Sequence, residues 1–472
     1  MRIVLKFCLA LVVFALGMSS AWGQQVLTWT FTGSPAGSGT VVDNFGTSPS
    51  GTALTDFVRN GVTLADANNV FNSSNWSLGG VDASKNIAFT MTANSGRVLH
   101  LTQLLFSQQR STTGPSSVDV QLVVGGNLLE SLTVAPPTIA ATSTFDIINT
   151  ITQDTARFNW LGYGATNTAG TYRVDNVALT YAPGPALPAT SSNITLAANT
   201  RLYAATNNFS LTGVVSGAFN VSKEGTGTIS LDAANTYTGN TTLSAGTLVI
   251  GSSGSINNSP TITVASGAIF DVNTVSGGFS LLSAQTLQGT GSVIGSTTLA
   301  SGTTIRGDSG AGTGTLTTGN VTVLSGGNIA ANLGASGTSS QLSVGASTLD
   351  LKTGSVLKLD DVSGFSVASG ATWIIAQLTS GNLSLDGTNQ LNGFQFGRYT
   401  QGSGNIGPVN IDVTALPAFA TGDQLTLSRT GNNLVLVFVP VPEPALLFGI
   451  AAGIMGLGAV VRKKFFAPAT AA

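Results

Sequence analysis

The sequence predicts an all-β protein: an N-terminal jelly-roll-like β-sandwich, then a parallel β-solenoid, plus a single C-terminal transmembrane helix. Three observations carry this. The 472 residues include 59 Gly, are 42% hydrophobic and only 8% charged, and their polar residues are mainly Thr, Ser and Asn. Such a composition favours short strands and tight turns. The first third alternates apolar and polar residues at period two, as half-buried strands do. The later part repeats a small–Gly–small unit at intervals suited to stacked coils.

In chain order, residues 1–23 read as a secretory signal peptide. Arg2 and Lys6 precede the apolar run Phe7 to Leu16, and Ala21-Trp22-Gly23 supplies small residues for cleavage before Gln24. Ten apolar residues are too few to span a bilayer.

Residues 24–182 read as the sandwich. Strands are expected over 26–31, 87–92, 98–106, 118–124, 128–134, 156–161 and 171–181, with a hairpin turn at Gly125-Gly126. Trp29, Phe89, Phe106, Phe158, Trp160 and Tyr172 are its core candidates. The stretches Arg110 to Pro115 and Gly170 to Val177 resemble strand motifs of jelly-roll modules in secreted bacterial proteins. Asp175 resembles the position at which carbohydrate-binding jelly rolls hold a structural calcium, which would be the chain's one metal. The plainer reading pairs Asp175 with Arg173 on the same strand face. Prolines 183, 185 and 188 then break both helix and sheet, so 183–190 is a linker.

From 191 to 438 a small–Gly unit recurs at Ala245-Gly246, Ser266-Gly267, Ser301-Gly302, Ser325-Gly326, Thr353-Gly354 and Ser369-Gly370. Those glycines lie 21, 35, 24, 28 and 16 residues apart, near the length of a solenoid coil or its multiples. Within about 223–250, Glu224-Gly225-Thr226-Gly227, Asn235-Thr236-Tyr237-Thr238-Gly239 and Ser244-Ala245-Gly246-Thr247-Leu248 are similar to the autotransporter-associated β-strand repeat. The resemblance implies a right-handed parallel β-helix of a secreted passenger. An autotransporter ends in its own outer-membrane barrel, and this chain does not follow that pattern. Residues 424–428 and 434–439, joined across Gly431-Asn432-Asn433, read as a closing hairpin over the open coil end.

The last segment, 441–464, combines Val441-Pro442-Glu443-Pro444, an uncharged run from Ala445 to Val461, and Arg462-Lys463-Lys464. Seventeen helical residues span about 25 Å, enough for a thin bilayer, and the basic cluster stays cytoplasmic. This ending resembles the PEP-CTERM sorting signal, with Pro442, Glu443, Pro444, Arg462, Lys463 and Lys464 as its working residues. The resemblance implies signal peptidase and exosortase as processing partners and a transient stay in the inner membrane. The destination would be the cell surface, or the exopolysaccharide matrix, of a Gram-negative bacterium.

Chemistry is scarce. Without the five basic residues of leader and tail, 13 basic residues face 20 acidic ones, so no basic patch points to nucleic acid. The single Cys, Cys8, is in the leader, which leaves no disulfide or thiol nucleophile. The single histidine, His100, sits inside a strand with no nucleophile elbow anywhere. Arg306-Gly307-Asp308 reads as a turn between coils. The expectation is an exported, non-enzymatic structural or adhesive protein without cofactor. The alternative is a glycan-binding or glycan-cleaving protein using the sandwich and solenoid surfaces. Exposed coplanar aromatics, or clustered charges in a coil groove, would favour the alternative.

Overall fold

The computed structural model describes residues 25–440 except 30, 32–51, 55–56, 66–69, 182–189, 283, 335–336, 362–369 and 418. All its long regular elements are strands, and no helix among the described residues is long and apolar enough to cross a membrane. The expected leader, linker core and transmembrane segment 445–461 lie outside the described residues. The chain forms two compact units: Met1–Ser192 with Ala197–Asn207, and Asn193–Leu196 with Asn208–Ala472.

In the first unit two sheets share one core. One sheet sets Ala141–Thr152, Leu99–Arg110 and Tyr172–Tyr181 side by side and antiparallel, with Gln25–Trp29 and Phe71–Ser74 on the far edge of Tyr172–Tyr181. The other carries Asn86–Ala93, Ala156–Tyr163, Ser117–Val124 and Asn127–Val134 in that order. The expected hairpin at Gly125-Gly126 is present, with φ of 55° and 83°. Two consecutive left-handed residues match the strand twist, and glycine adopts them without steric cost. Period two decides the core: along Ser117–Val124 every second residue is buried. Phe89 stacks on Phe158 at 5.0 Å between ring centres, and Phe106 meets Trp160 edge-on at 5.6 Å. Five of the six expected core aromatics are fully buried; the side chain of Trp29 is outside the described set. Phe31, Phe57, Phe71 and Trp76 join them. Strand Thr200–Tyr203 belongs to this unit, parallel to Ala141–Thr152. It is followed by a turn whose Ala205, Thr206 and Asn207 amides all donate to the buried Asp154 carboxylate.

In the second unit the strands stack in parallel as ladders. The first ladder runs through Val221–Glu224, Thr241–Leu243, Thr261–Val264, Thr286–Gly289, Thr304–Arg306, Asn328–Leu333 and Val356–Asp361. The second includes Thr228–Leu231, Thr247–Ile250, Ile269–Asp271 and Ser292–Ile294, and the third begins at Phe279–Leu281 and includes Thr297–Leu299 and Val321–Val323. From residue 261 to residue 385 the chain visits first, second and third ladder in turn. Ile262, Leu287, Ile305, Ile329 and Leu357 fall in register as one buried aliphatic column. Each such side chain contributes about 1.5–3 kcal/mol by leaving water, but only when a neighbouring coil covers it.

Corners fall on the repeated glycines, which all have positive φ. Gly246 and Gly267 turn the chain from first to second ladder, whereas Gly302, Gly326 and Gly354 turn it from third to first. At the far end Thr372–Leu378 pairs antiparallel with Asn433–Val439, itself in a hairpin with Gln424–Thr430.

Candidate functional site

The stretch 221–250 is two coils of first- and second-ladder strand, and its motif residues are the bonds between coils. Asn235 Oδ1 accepts from the Val215 amide at 2.9 Å, while its Nδ2 donates to Ala233 O and Ser255 O at 2.8 and 3.1 Å. One carboxamide thus satisfies backbone in the coil before and the coil after. The hydroxyl of the buried Tyr237 lies 2.7 Å from Thr241 Oγ1, which lies 2.9 Å from Ser259 Oγ, a polar chain inside the core. Gly239 packs so tightly that a Cβ would stand 2.2 Å from the Phe219 carbonyl.

The same coil holds a cation. Lys223 alternates with the inward Val221, and its side chain is fully buried. Its Nζ donates to Glu224 O, Gly225 O and Ala245 O at 3.0, 2.8 and 3.1 Å. Burial pulls its pKa down to about 8, and the Glu224 charge opposes that. Sequence reading missed this residue. Its inward parity in an alternating strand was the available signal.

Farther along, Arg306 gathers the nearby carboxylates. Its Nε meets Asp308 Oδ1 at 2.7 Å, Nη1 meets Asp360 Oδ2 at 3.3 Å, and Nη2 donates to Asn332 Oδ1 at 2.7 Å. Asp308 is 2% exposed, held also by the Gly310 amide at 2.6 Å. The Arg-Gly-Asp tripeptide therefore ties its own two charges together, with Asp308 buried. Lys352 pairs with Asp350 at 2.7 Å. Each of these carboxylates is engaged by a cation of the fold, an arrangement suited to holding coils rather than to proton transfer.

Asp175 lies at a bulge in Tyr172–Tyr181 opposite Ser107. Its carboxylate accepts from the Asn176 amide at 2.8 Å and side chain at 3.2 Å. Desolvation raises its pKa, while the Asn176 bond and the Arg173 charge oppose the rise. Arg173 donates to Gln109 Oε1 across the strand pair. No group of three or more His, Cys, Asp or Glu able to hold a metal occurs among the described residues. His100 lies across from Ile151, its Nε2 buried without a hydrogen-bond partner, and burial lowers its pKa to about 4. Pro442, Glu443, Pro444, Arg462, Lys463 and Lys464 lie outside the described residues.

No curated protein matches the chain. Among solved structures, the chain is similar to a mutant family 29 carbohydrate-binding module complexed with mannohexaose. That match has 16% identity, 34% of this chain, 92% of the module and a TM-score of 0.22. It is also similar to a family two carbohydrate esterase from Cellvibrio japonicus, at 13% identity over 38% of this chain and 40% of the esterase, TM-score 0.19. At those scores neither likeness bears on what this chain binds. Residues 221–250, the stretch closed by Lys223, Asn235 and Tyr237, match the family described as Passenger-associated-transport-repeat.

Proposed function

We propose that the protein is an exported, non-enzymatic component of a bacterial cell surface or its exopolysaccharide matrix. Within residues 191–438 the stacked coils form a right-handed parallel β-helix that serves as its scaffold. The observation that carries this reading is the coil stitching at 221–250: its side chains bind neighbouring backbone, and its sequence matches a passenger repeat. Delivery rests on the leader 1–23 and on the PEP-type ending at Pro442, Glu443 and Pro444 with Arg462, Lys463 and Lys464. Exosortase cuts or transfers the chain there after signal peptidase has acted.

The test is fractionation of cells carrying the sorting enzyme, with a tag at the linker 183–190. The parent protein is expected at the surface at shortened mass. Glu443→Ala is expected to leave export intact and to hold the full-length chain in the inner membrane. Equal surface delivery of both at the same shortened mass would sink the sorting reading.

A further inference from the structure

The outward side of the first ladder differs from the other two. Thr261–Val264, Thr286–Gly289 and Thr304–Arg306 each place two residues toward solvent, in columns set by the parallel register. Thr261, Thr286, Thr304 and Asn328 make one column; Thr242, Thr263 and Gln288 make the other, ending at Arg306. All are partly exposed. The hydroxyls of Thr242, Thr261, Thr286 and Thr304 make no hydrogen bond among the described residues, whereas Gln288 Nε2 donates to Thr263 Oγ1 at 3.1 Å. No charge lies on the face from Thr242 to Thr304, and Arg306 at its edge is spent on Asp308 and Asp360.

Strand propensity alone would place threonine on every ladder. The ladders do carry it throughout, but the second mixes outward Thr228, Thr247 and Ser292 with Val249, Ile269, Asp271 and Ile294, and the third offers a single outward column. We propose that the first-ladder face is a docking track for an uncharged, hydroxyl-rich polysaccharide lying along the stack. This rests on the surface-protein reading above and names what the scaffold holds. Coils repeat every 4.8 Å or so, a step close to the rise of an extended β-linked pyranose chain, so each sugar meets the same donors and acceptors. The absence of charge excludes the electrostatic attraction that a polyanion needs.

The experiment uses the exported mature protein and two probes of equal length, a neutral β-1,4-linked hexasaccharide and a uronate hexasaccharide, in titration calorimetry. The neutral probe is expected to bind and the uronate to bind more weakly. The triple variant Thr261→Val, Thr286→Val and Thr304→Val keeps shape and strand propensity and removes three hydroxyls. It is expected to lose affinity by about tenfold or more. Thr298→Val with Thr322→Val on the third ladder is expected to change nothing. Unchanged melting of both variants excludes misfolding as the cause. No binding of the neutral probe, preference for the uronate, or equal losses in the two variants overturns the proposal. A protein that reaches the surface yet fails these titrations sinks this inference alone; one that stays inside the cell sinks the surface reading whatever it binds.

Discussion

Lys223 Nζ lies 3.1 Å from the carbonyl oxygen of Ala245, so a side chain from one coil closes the turn of the next. Two further carbonyls, of Glu224 and Gly225, complete the cage. Lys223→Met keeps the volume and leaves three acceptors without this donor. The expected cost is about 1–3 kcal/mol in urea unfolding. An unchanged midpoint would mean that the ammonium's desolvation cancels its bonds.

Asn235 serves three neighbours at once through bonds to Val215, Ala233 and Ser255. Asn235→Asp replaces two donors with a second acceptor facing carbonyls. Destabilisation by about 2 kcal/mol is expected, with faster hydrogen exchange at the Asn235 amide, which donates to the same Ser255 carbonyl. Exchange as slow as in the parent would deny the carboxamide its bridging role.

Arg306 neutralises the buried Asp308 carboxylate, which otherwise has only the Gly310 amide as donor among the described residues. Asp308 Oδ2 is already buried without a partner. Arg306→Met is expected to cost about 3–5 kcal/mol, because it strands a buried charge. Adding Asp308→Asn should recover most of the loss. Additive losses in the double variant would show that the pair is not coupled.

His100 gives stability a dependence on acidity. Its folded pKa, about 4, lies below the unfolded value of about 6.5. Between those values the unfolded chain binds the proton and the folded chain does not. The contribution of His100 is therefore complete above about pH 6.5 and is lost as pH drops toward 4, by about 3 kcal/mol. It is the chain's single histidine. His100→Gln should flatten that part of the profile, while the carboxylate limb at lower pH persists in both proteins. A parent that shows no slope between pH 6.5 and 5 would refute the burial argument.

Much of the fold was legible because period two leaves its mark wherever one face is buried. The strands around Phe89, Val120 and Phe158 stand where alternation placed them. Ala141–Thr152 escaped notice since its first half is mostly exposed and its polar Thr, Ser and Asn blur the alternation. The uneven glycine intervals have a topological cause. Gly246 and Gly267 serve one kind of corner, 21 residues apart, and Gly302, Gly326 and Gly354 another, 24 and 28 apart. Read as one series they look irregular, and sorted by corner they give the coil length. The passenger-repeat stretch was recognisable as a motif. The duties of Asn235 and Tyr237 were not, because their partners at Val215 and Ser259 lie in other coils.

The antiparallel seam between Thr372–Leu378 and Asn433–Val439 also bears on self-association. A parallel ladder is a template: its last strand offers the same unsatisfied amides and carbonyls that an identical chain's first strand would fill. Here the second ladder reverses direction and then passes through Gln424–Thr430 and Gln395–Thr400 to a three-residue edge, Gly404–Ile406. A short, reversed edge gives an incoming parallel strand little to extend. On that side the ladder ends in a terminator, which leaves a second copy of the chain no parallel strand to continue end to end.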